Sequence, residues 1–453
     1  MTALPDSVEW LEVRADRVGD IDPEWLRNHF KGGLLYSLRA GSTLNRAERL
    51  KAAARFYDRI ELEIETDVSP ELLEVVPVEK RLVSWYGKVD DLLQLNNRFA
   101  QLASVPASTY KIVTTADTIA EEFLPLSLLK SLSRTDTIAF ANGPLGFWNR
   151  VVALQLGAPA IYGSVSDGSV VDMEPTISKL ITDYGLPEVS PARELFAIIG
   201  NPIFHSLSPR LHNASYRATN HAALFVPLRV SSFAEFWRDF VISKRLDEFG
   251  LAINGMTVAS PHKEEAVATA KTVSGMVRQT EAANILVRNN GWWTADTTDP
   301  DVVYGVSVKE KRAAVIGCGG AGRAIAAALV QSGAGVTLIN RGAERGEHAA
   351  ALLGLPYIPL RDFDAEGYDI VVNATPVGRE TNEVPFEVER LKGDAVVIDL
   401  VYGSRPTPLV GTTRARRQVA IDGRDVLVTQ VSHQFRLMTG KDMPIDLARE
   451  ILL

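Results

Sequence analysis

The residues most able to do chemistry form three groups. In the first, an apolar run at 313–316 passes into Gly317-Cys318-Gly319-Gly320-Ala321-Gly322 and then into the helix-forming residues 324–331. Strand, G-x-G-x-x-G and helix in that order make a dinucleotide cradle. Gly317 permits the tight turn, Gly319 lets a pyrophosphate approach the backbone, and Gly322 lets helix and strand pack closely. Gly320 and Ala321 open the helix whose N–H groups face the phosphate. The next strand, 335–339, ends in Asn340-Arg341 with Arg345 close behind. An NAD-preferring site usually carries Asp or Glu there. A guanidinium pairs bidentately with a 2′-phosphate that a carboxylate would repel, so the expected cofactor is NADP. In the second group, residues 370–372 form a buried strand that leaves through Asn373-Ala374-Thr375-Pro376, where a nicotinamide would lie near Thr375. The third is Ser206 and Ser208, two hydroxyls on alternate positions, which either hold a carboxylate or cap the helix that follows.

Composition sets the frame for these groups. At 453 residues the chain has room for about three domains. Hydrophobic residues at 46% and charged residues at 23% are ordinary for a globular protein, which excludes disordered, collagen-like and disulfide-scaffold classes. A net charge of -8 lacks the footprint of a nucleic-acid binder. The single cysteine, Cys318, excludes an intrachain disulfide and a cysteine-rich metal site, so no metal is expected. No apolar run approaches the roughly 18 residues of a membrane span, and the first residues lack a basic, then apolar, leader. The expectation is a soluble cytoplasmic protein without nucleic-acid or membrane partners, acting on small molecules.

Residues 8–190 alternate short apolar runs (8–13, 33–38, 60–64, 81–85, 108–113, 137–141 and 159–162) with amphipathic stretches such as 45–57, 90–102 and 118–132. That alternation implies parallel strands joined by crossover helices, and fits an α/β chain opening with a (β/α)8-type barrel. Residues 183–193, with two prolines and a glycine, read as a linker. The expected domains are a barrel over 1–190, an α/β substrate domain over 195–305 completed by 425–453, and a Rossmann nucleotide domain over 306–424.

Two further clusters give the second half a family likeness. Gly200-Asn201-Pro202 through Ser206-Leu207-Ser208-Pro209-Arg210 is one, and Asn254-Gly255-Met256-Thr257 through Ser260-Pro261-His262-Lys263 is the other. With Asn284, Asp299, Gln430 and the segment Val397-Ile398-Asp399-Leu400-Val401-Tyr402, they make residues 195–453 resemble shikimate dehydrogenase. The resemblance implies reduction of 3-dehydroshikimate to shikimate with NADPH. It implies that Lys263 and Asp299 are the catalytic pair, a lysine beside a carboxylate suiting proton delivery to a developing oxyanion. Ser206 and Ser208 would bind the substrate carboxylate and Asn284 and Gln430 its ring hydroxyls, with Thr257 and Tyr402 as further substrate-binding residues. Three places depart from the family pattern: Thr297-Thr298-Asp299-Pro300, Asn284-Ile285, and Arg379 where methionine is usual.

Residues 8–180 resemble type I 3-dehydroquinate dehydratase. Glu12 and Arg14 fall in a segment similar to its first strand, Arg39 and Arg150 at its substrate arginines, and Lys111 at its Schiff-base lysine. Dehydration through an imine requires Lys111 to be unprotonated, which burial would favour. The family's histidine base is replaced by Tyr86 in Ser84-Trp85-Tyr86-Gly87. Its Glu-Gly-Gly is absent from Arg39-Ala40-Gly41-Ser42-Thr43, and its Ser-Ala-Pro-Gly-Gln loop from 163–176. The readings are a fused shikimate-pathway enzyme whose barrel dehydrates 3-dehydroquinate, or a shikimate dehydrogenase whose barrel is a non-catalytic metabolite-binding or structural domain.

Overall fold

The computed structural model describes residues 4–39, 45–165, 174–403 and 405–452. Residues 40–43, where the dehydratase Glu-Gly-Gly is missing, and most of 163–176, where its later loop is missing, lie outside the described residues. The chain divides into two compact units: 1–193 with 228–252, and 194–227 with 253–453.

The first unit is built on six strands, Trp10–Arg14, Gly33–Ser37, Arg59–Glu63, Arg81–Gly87, Thr109–Thr115 and Thr137–Asn142. Each pairs in parallel with the one before it, in chain order. Right-handed crossovers that always advance one place curl such a sheet toward a barrel. The helices between the strands begin on residues suited to it. Asp91 accepts from the Gln94 N–H at the start of Leu92–Ala103, and Ser69 from the Leu72 N–H ahead of Pro70–Val75. The expected strand at 159–162 does not form, and among the described residues the last strand does not pair with the first, so the sheet is a half-barrel. A helical segment within 228–252, expected in the substrate domain, packs in this unit instead. Its buried Phe240 lies 5.6 Å from the Phe123 ring and 5.1 Å from Trp148, and the Arg229 N–H donates to the Leu145 carbonyl at 3.1 Å. Truncating a ring in such a cluster costs about 3–5 kcal/mol. Aromatic spacing in 233–240 reads as core, but not as whose core.

The second unit holds two six-stranded sheets. One, in the order Thr272–Val273, Trp292–Asp296, Ile285–Asn289, Ala252–Val258, Glu194–Gly200 and Ala223–Arg229, is covered by the helices Ser208–Ala218 and Gly423–Thr439. The second of these returns Val431 and Phe435 to a core with Phe196, Leu211 and Tyr216. The other sheet is wholly parallel: Tyr357–Pro359, Gly335–Asn340, Arg312–Ile316, Ile370–Asn373, Val396–Asp399 and Val419–Ile421. In chain order that is 3-2-1-4-5-6, the Rossmann arrangement. Its central strands are unbroken apolar runs because both faces are covered. The strand order reverses between Arg312–Ile316 and Ile370–Asn373, and a dinucleotide binds at such a switch point.

Candidate active site

The strand Ala252–Val258 carries Thr257 and leaves through Pro261-His262-Lys263. The Lys263 carbonyl accepts from the Ala283 N–H at 2.8 Å, and the Asn284 carbonyl from the Val258 N–H at 2.7 Å. These two bonds clamp the lysine turn against Asn284. Asp299 opens a 3-10 turn over Asp299–Gly305, with Pro300 at a position where fixed φ is favourable. Lys263 Nζ donates to Asp299 Oδ2 at 2.5 Å; the lysine side chain keeps 18% exposure and the aspartate 5%. Asp299 Oδ1 accepts from Asn284 Nδ2 and from Gln430 Nε2, both at 3.0 Å. Both oxygens of this buried carboxylate therefore meet donors, as burial of a charge demands.

The network runs on. The Thr298 N–H donates to Asn284 Oδ1 at 2.8 Å, Gln434 Nε2 to Thr298 Oγ1 at 3.0 Å, and Thr257 Oγ1 to Gln434 Oε1 at 3.0 Å. Gln434 and Thr298 were not singled out in the sequence. The signal for Gln434 was its spacing: Gln430 and Gln434 stand four apart on one face of Gly423–Thr439. Thr298 stands between two departures from the family pattern, Thr297 and Pro300, and it fills the bonding of Asn284.

Ser206 and Ser208 are both buried, at the entry to Ser208–Ala218. The Ser208 N–H donates to Ser206 Oγ at 3.2 Å, so Ser206 does form a local turn. Burial raises the Tyr402 phenol above its ordinary range, and the Ser206 side chain opposes the shift.

The glycine turn is tight where it must be and open where a ligand would lie. Gly317 has φ +104, and a Cβ on it would stand 2.8 Å from the Ala374 carbonyl oxygen. A Cβ on Gly322 would be 1.8 Å from the Gly317 oxygen, whereas one on Gly319 would meet nothing within 4 Å. That arrangement fits a pyrophosphate over Gly319. On Gly320 a Cβ would lie 3.1 Å from Lys263 Cδ, so the cradle abuts the lysine. Asn340 Oδ1 accepts from the Cys318 N–H at 3.2 Å, which ties the end of its strand to the turn. Arg341 and Arg345 are exposed at the start of the next helix, and neither forms an ion pair among the described residues. Two exposed guanidiniums outside any ion pair among the described residues fit a 2′-phosphate. Thr375 Oγ1 donates to Asn373 Oδ1 at 2.6 Å, and Asn373 Nδ2 to Asp399 Oδ1 at 2.9 Å. Asp399, raised by burial despite its bond from Thr407, thereby joins the loops after two neighbouring strands.

In the first unit the neighbouring parallel strands bring together Glu12, Arg14, Arg39, Tyr86 and Lys111. Lys111 Nζ lies 3.2 Å from Glu61 Oε1, 3.7 Å from Glu12 Oε1 and 4.2 Å from the Tyr162 ring centre. Glu61, only 1% exposed, also accepts from Ser37 Oγ and, at 2.5 Å, from the Tyr86 hydroxyl. The expectation that burial would leave Lys111 unprotonated is corrected here. Burial does lower it, but Glu61, with Tyr162, Tyr86 and Glu12, holds it well above its ordinary range, and Glu61 is held low in return. Burial and Glu61 likewise push the Tyr86 phenol well above its ordinary range. Arg39 stacks 3.1 Å above the Tyr86 ring and pairs with Glu63, and Arg14 pairs with Asp16 at 2.7 Å. Arg150 bonds Asn142 at 2.7 Å and stacks on Phe140; burial lowers it to about 10. Glu61 was missed in the sequence, although a carboxylate between Ile60 and Leu62 in a buried strand was a signal.

Fold and site together define an α/β dehydrogenase preceded by a half-barrel unit. Family sequence models match in the same order: type I 3-dehydroquinase over 38–189, the shikimate dehydrogenase substrate binding domain over 198–286, and the NAD-binding domain of D-isomer specific 2-hydroxyacid dehydrogenases over 270–401. The chain is 35% identical over 261 residues to the NADP(+) shikimate dehydrogenase of Methanothrix thermoacetophila, covering 94% of that protein and 56% of this chain. It is 27% identical over 394 residues to the chloroplastic bifunctional 3-dehydroquinate dehydratase/shikimate dehydrogenase of Arabidopsis thaliana, covering 81% of this chain but 64% of that protein's length. The crystal structure of the Thermus thermophilus shikimate dehydrogenase with NADP(H) and shikimate aligns at a TM-score of 0.51 and 28% identity, over 57% of this chain and 98% of that one. The chain belongs to the shikimate dehydrogenase family and carries a type I 3-dehydroquinase domain ahead of it. Among the described residues no helix is long and apolar enough to cross a membrane.

Proposed function

We infer that the chain is a shikimate-pathway enzyme whose second unit interconverts 3-dehydroshikimate and shikimate with NADP. The observation that carries this reading is the Lys263–Asp299 pair at 2.5 Å, set against the glycine turn. Bound NADPH would supply hydride to the substrate carbonyl carbon, with Gly317, Gly319, Gly320, Ala321 and Gly322 at its pyrophosphate and Asn340, Arg341 and Arg345 at its 2′-phosphate. Lys263 Nζ gives its proton to the carbonyl oxygen as charge develops there. Asp299 aims the ammonium and is itself held by Asn284 and Gln430. Ser206, Ser208 and Tyr402 hold the substrate carboxylate, and Thr257 lies at the far end of the same network. Shikimate-dependent reduction of NADP, followed by NADPH absorbance, tests this; full activity in Lys263→Ala would overturn it.

For the barrel two readings stand. Its family places a Schiff-base dehydration of 3-dehydroquinate at Lys111. A specific observation favours the other, a barrel that binds an anionic metabolite without dehydrating it: Lys111 is paired to Glu61, and Tyr86, in the place of the base, is a poor one. Borohydride treatment with 3-dehydroquinate distinguishes them, since a trapped adduct on Lys111 with turnover supports dehydration. A cytoplasmic setting without nucleic-acid or membrane partners belongs to the same proposal. The net charge of -8 supports the part that concerns nucleic acid.

A further inference from the structure

Arg323 stands in the first turn of the helix Gly320–Gln331, directly after the glycine turn, and it is only 1% exposed. Its side chain spends no bond on its own helix. Nε donates to the Thr280 carbonyl at 2.8 Å, and Nη2 reaches the Glu281 carbonyl at 3.5 Å. Those carbonyls end the helix Gly275–Thr280, where unpaired backbone oxygens favour a cation. Nη1 pairs with Glu264 Oε1 at 2.8 Å, and Glu264 is the neighbour of Lys263. Between these anchors the Ala283 N–H donates to the Lys263 carbonyl at 2.8 Å. A Cβ on Gly320 would stand 2.9 Å from Ala282 Cβ and 3.1 Å from Lys263 Cδ. One buried guanidinium thus ties the glycine turn to the two segments that carry Lys263 and Asn284. Desolvation argues against a packing role alone. An apolar side chain of similar volume would fill the space without that cost, and Glu264, 57% exposed, offsets little of it. What only the planar fork supplies is a fixed geometry among its acceptors.

We propose that Arg323 is a positioning residue: through Glu264 and the carbonyls of Thr280 and Glu281 it holds the lysine turn in register with the nucleotide turn, so that proton donor and hydride donor address one carbonyl group. The inference rests on the dehydrogenase reading above. A misplacement of about 1 Å in a reacting group costs on the order of 10²-fold in rate.

The test follows shikimate-dependent reduction of NADP by the full chain. Arg323→Lys keeps the charge and loses the fork. It should lower kcat about tenfold to a hundredfold, with the KM for shikimate and the Kd for NADP within about twofold. In a Lys263→Ala background the same substitution should cost nothing further, because Arg323 acts through that lysine. Equal losses in the two backgrounds would make Arg323 a structural residue and overturn the proposal. A second readout needs no turnover. Labelling of Lys263 by trinitrobenzenesulfonate, measured by peptide mass against the exposed Lys441, should rise several-fold in Arg323→Lys, and unchanged labelling also overturns the proposal. Should Arg323→Lys fail to fold, Glu264→Gln removes one anchor at an exposed position. It should lower kcat several-fold in the same pattern, and an unchanged kcat there breaks the link from Arg323 to the lysine turn. An inactive wild type would remove the dehydrogenase reading and this inference with it. An active wild type whose kcat survives Arg323→Lys removes the inference alone.

Discussion

Lys263 and Lys111 each pair with a buried carboxylate, and their surroundings give the two pairs opposite properties. Lys263 faces a single carboxylate, and that carboxylate is shared with two neutral amides, Asn284 and Gln430. Its side chain keeps 18% exposure beside a glycine turn. Lys111 is sealed at 5% exposure between Glu61 and Glu12, with Tyr86 and Tyr162 against it. The first pair is arranged to aim a proton at something that arrives. The second is satisfied already, so deprotonating Lys111 means leaving Glu61 buried without its partner. A lysine paired with a buried carboxylate is thus either a reagent or a strut, according to how many anions share its site.

The largest expected effect is on the first pair. Lys263→Ala should lower kcat/KM for shikimate oxidation about 10²–10⁴-fold, as loss of a positioned acid or base does. A smaller drop would make Lys263 a binding residue and erase the contrast. The second pair is probed through Glu61. Glu61→Ala should destabilise the first unit by about 3–5 kcal/mol in denaturant unfolding, because it strands a buried charge. The milder Glu61→Gln should let burial dominate at Lys111 and increase borohydride trapping with 3-dehydroquinate. Ready trapping in the wild type at neutral pH would break the description of Lys111 as a fixed ammonium.

The units should also differ in how they respond to pH. Glu122, buried and accepting from the Leu145 N–H, Trp148 and Asn149, is pushed up to about 7 by burial. An acid raised on folding stabilises below its ordinary value of 4.5, and that contribution is lost as pH rises toward 7. His212, stacked on Phe225, is lowered by burial to about 3. A base lowered on folding stabilises above its ordinary value of 6.5, and that contribution is lost as pH falls toward 3. The first unit should therefore lose roughly 2–3 kcal/mol between pH 4.5 and 7, a slope that Glu122→Gln flattens. Equal slopes in that variant and the wild type, read by thermal unfolding, would remove Glu122 as the cause. The smallest effect belongs to Gln430→Ala. Loss of one of the bonds to Asp299 should cost about 1–2 kcal/mol in kcat/KM, several-fold to about thirtyfold.

Much of the second unit was legible. The apolar runs beside Gly317 and Asn340 specify parallel strands whatever surrounds them, and a G-x-G-x-x-G turn has few conformations open to it. Lys263, Asp299, Asn284 and Gln430 lie in separate segments, and each could be singled out by its motif. The links through Gln434 and Thr298 could not, because amides and hydroxyls carry no spacing that says whom they bond. The first unit was less legible. Its helices and six strands follow from alternation, but residues 159–162 are as apolar as the strands before them. They nevertheless do not pair with the open edge of Thr137–Asn142.

The sequence alone determined the class of chemistry. A phosphate cradle, an arginine-bearing strand end and a lysine with a distant aspartate are set by residue type, because glycine's missing Cβ and a guanidinium's fixed charge are properties of the residue. The tertiary structure decided protonation and membership. Whether Lys111 is amine or ammonium depends on Glu61, 50 residues away in the chain and 3.2 Å away in space. Whether 228–252 serves one core or the other depends on where Phe123 and Trp148 wait for Phe240. Both are sums over neighbours that only folding brings together: an electrostatic field in one case, buried apolar area in the other.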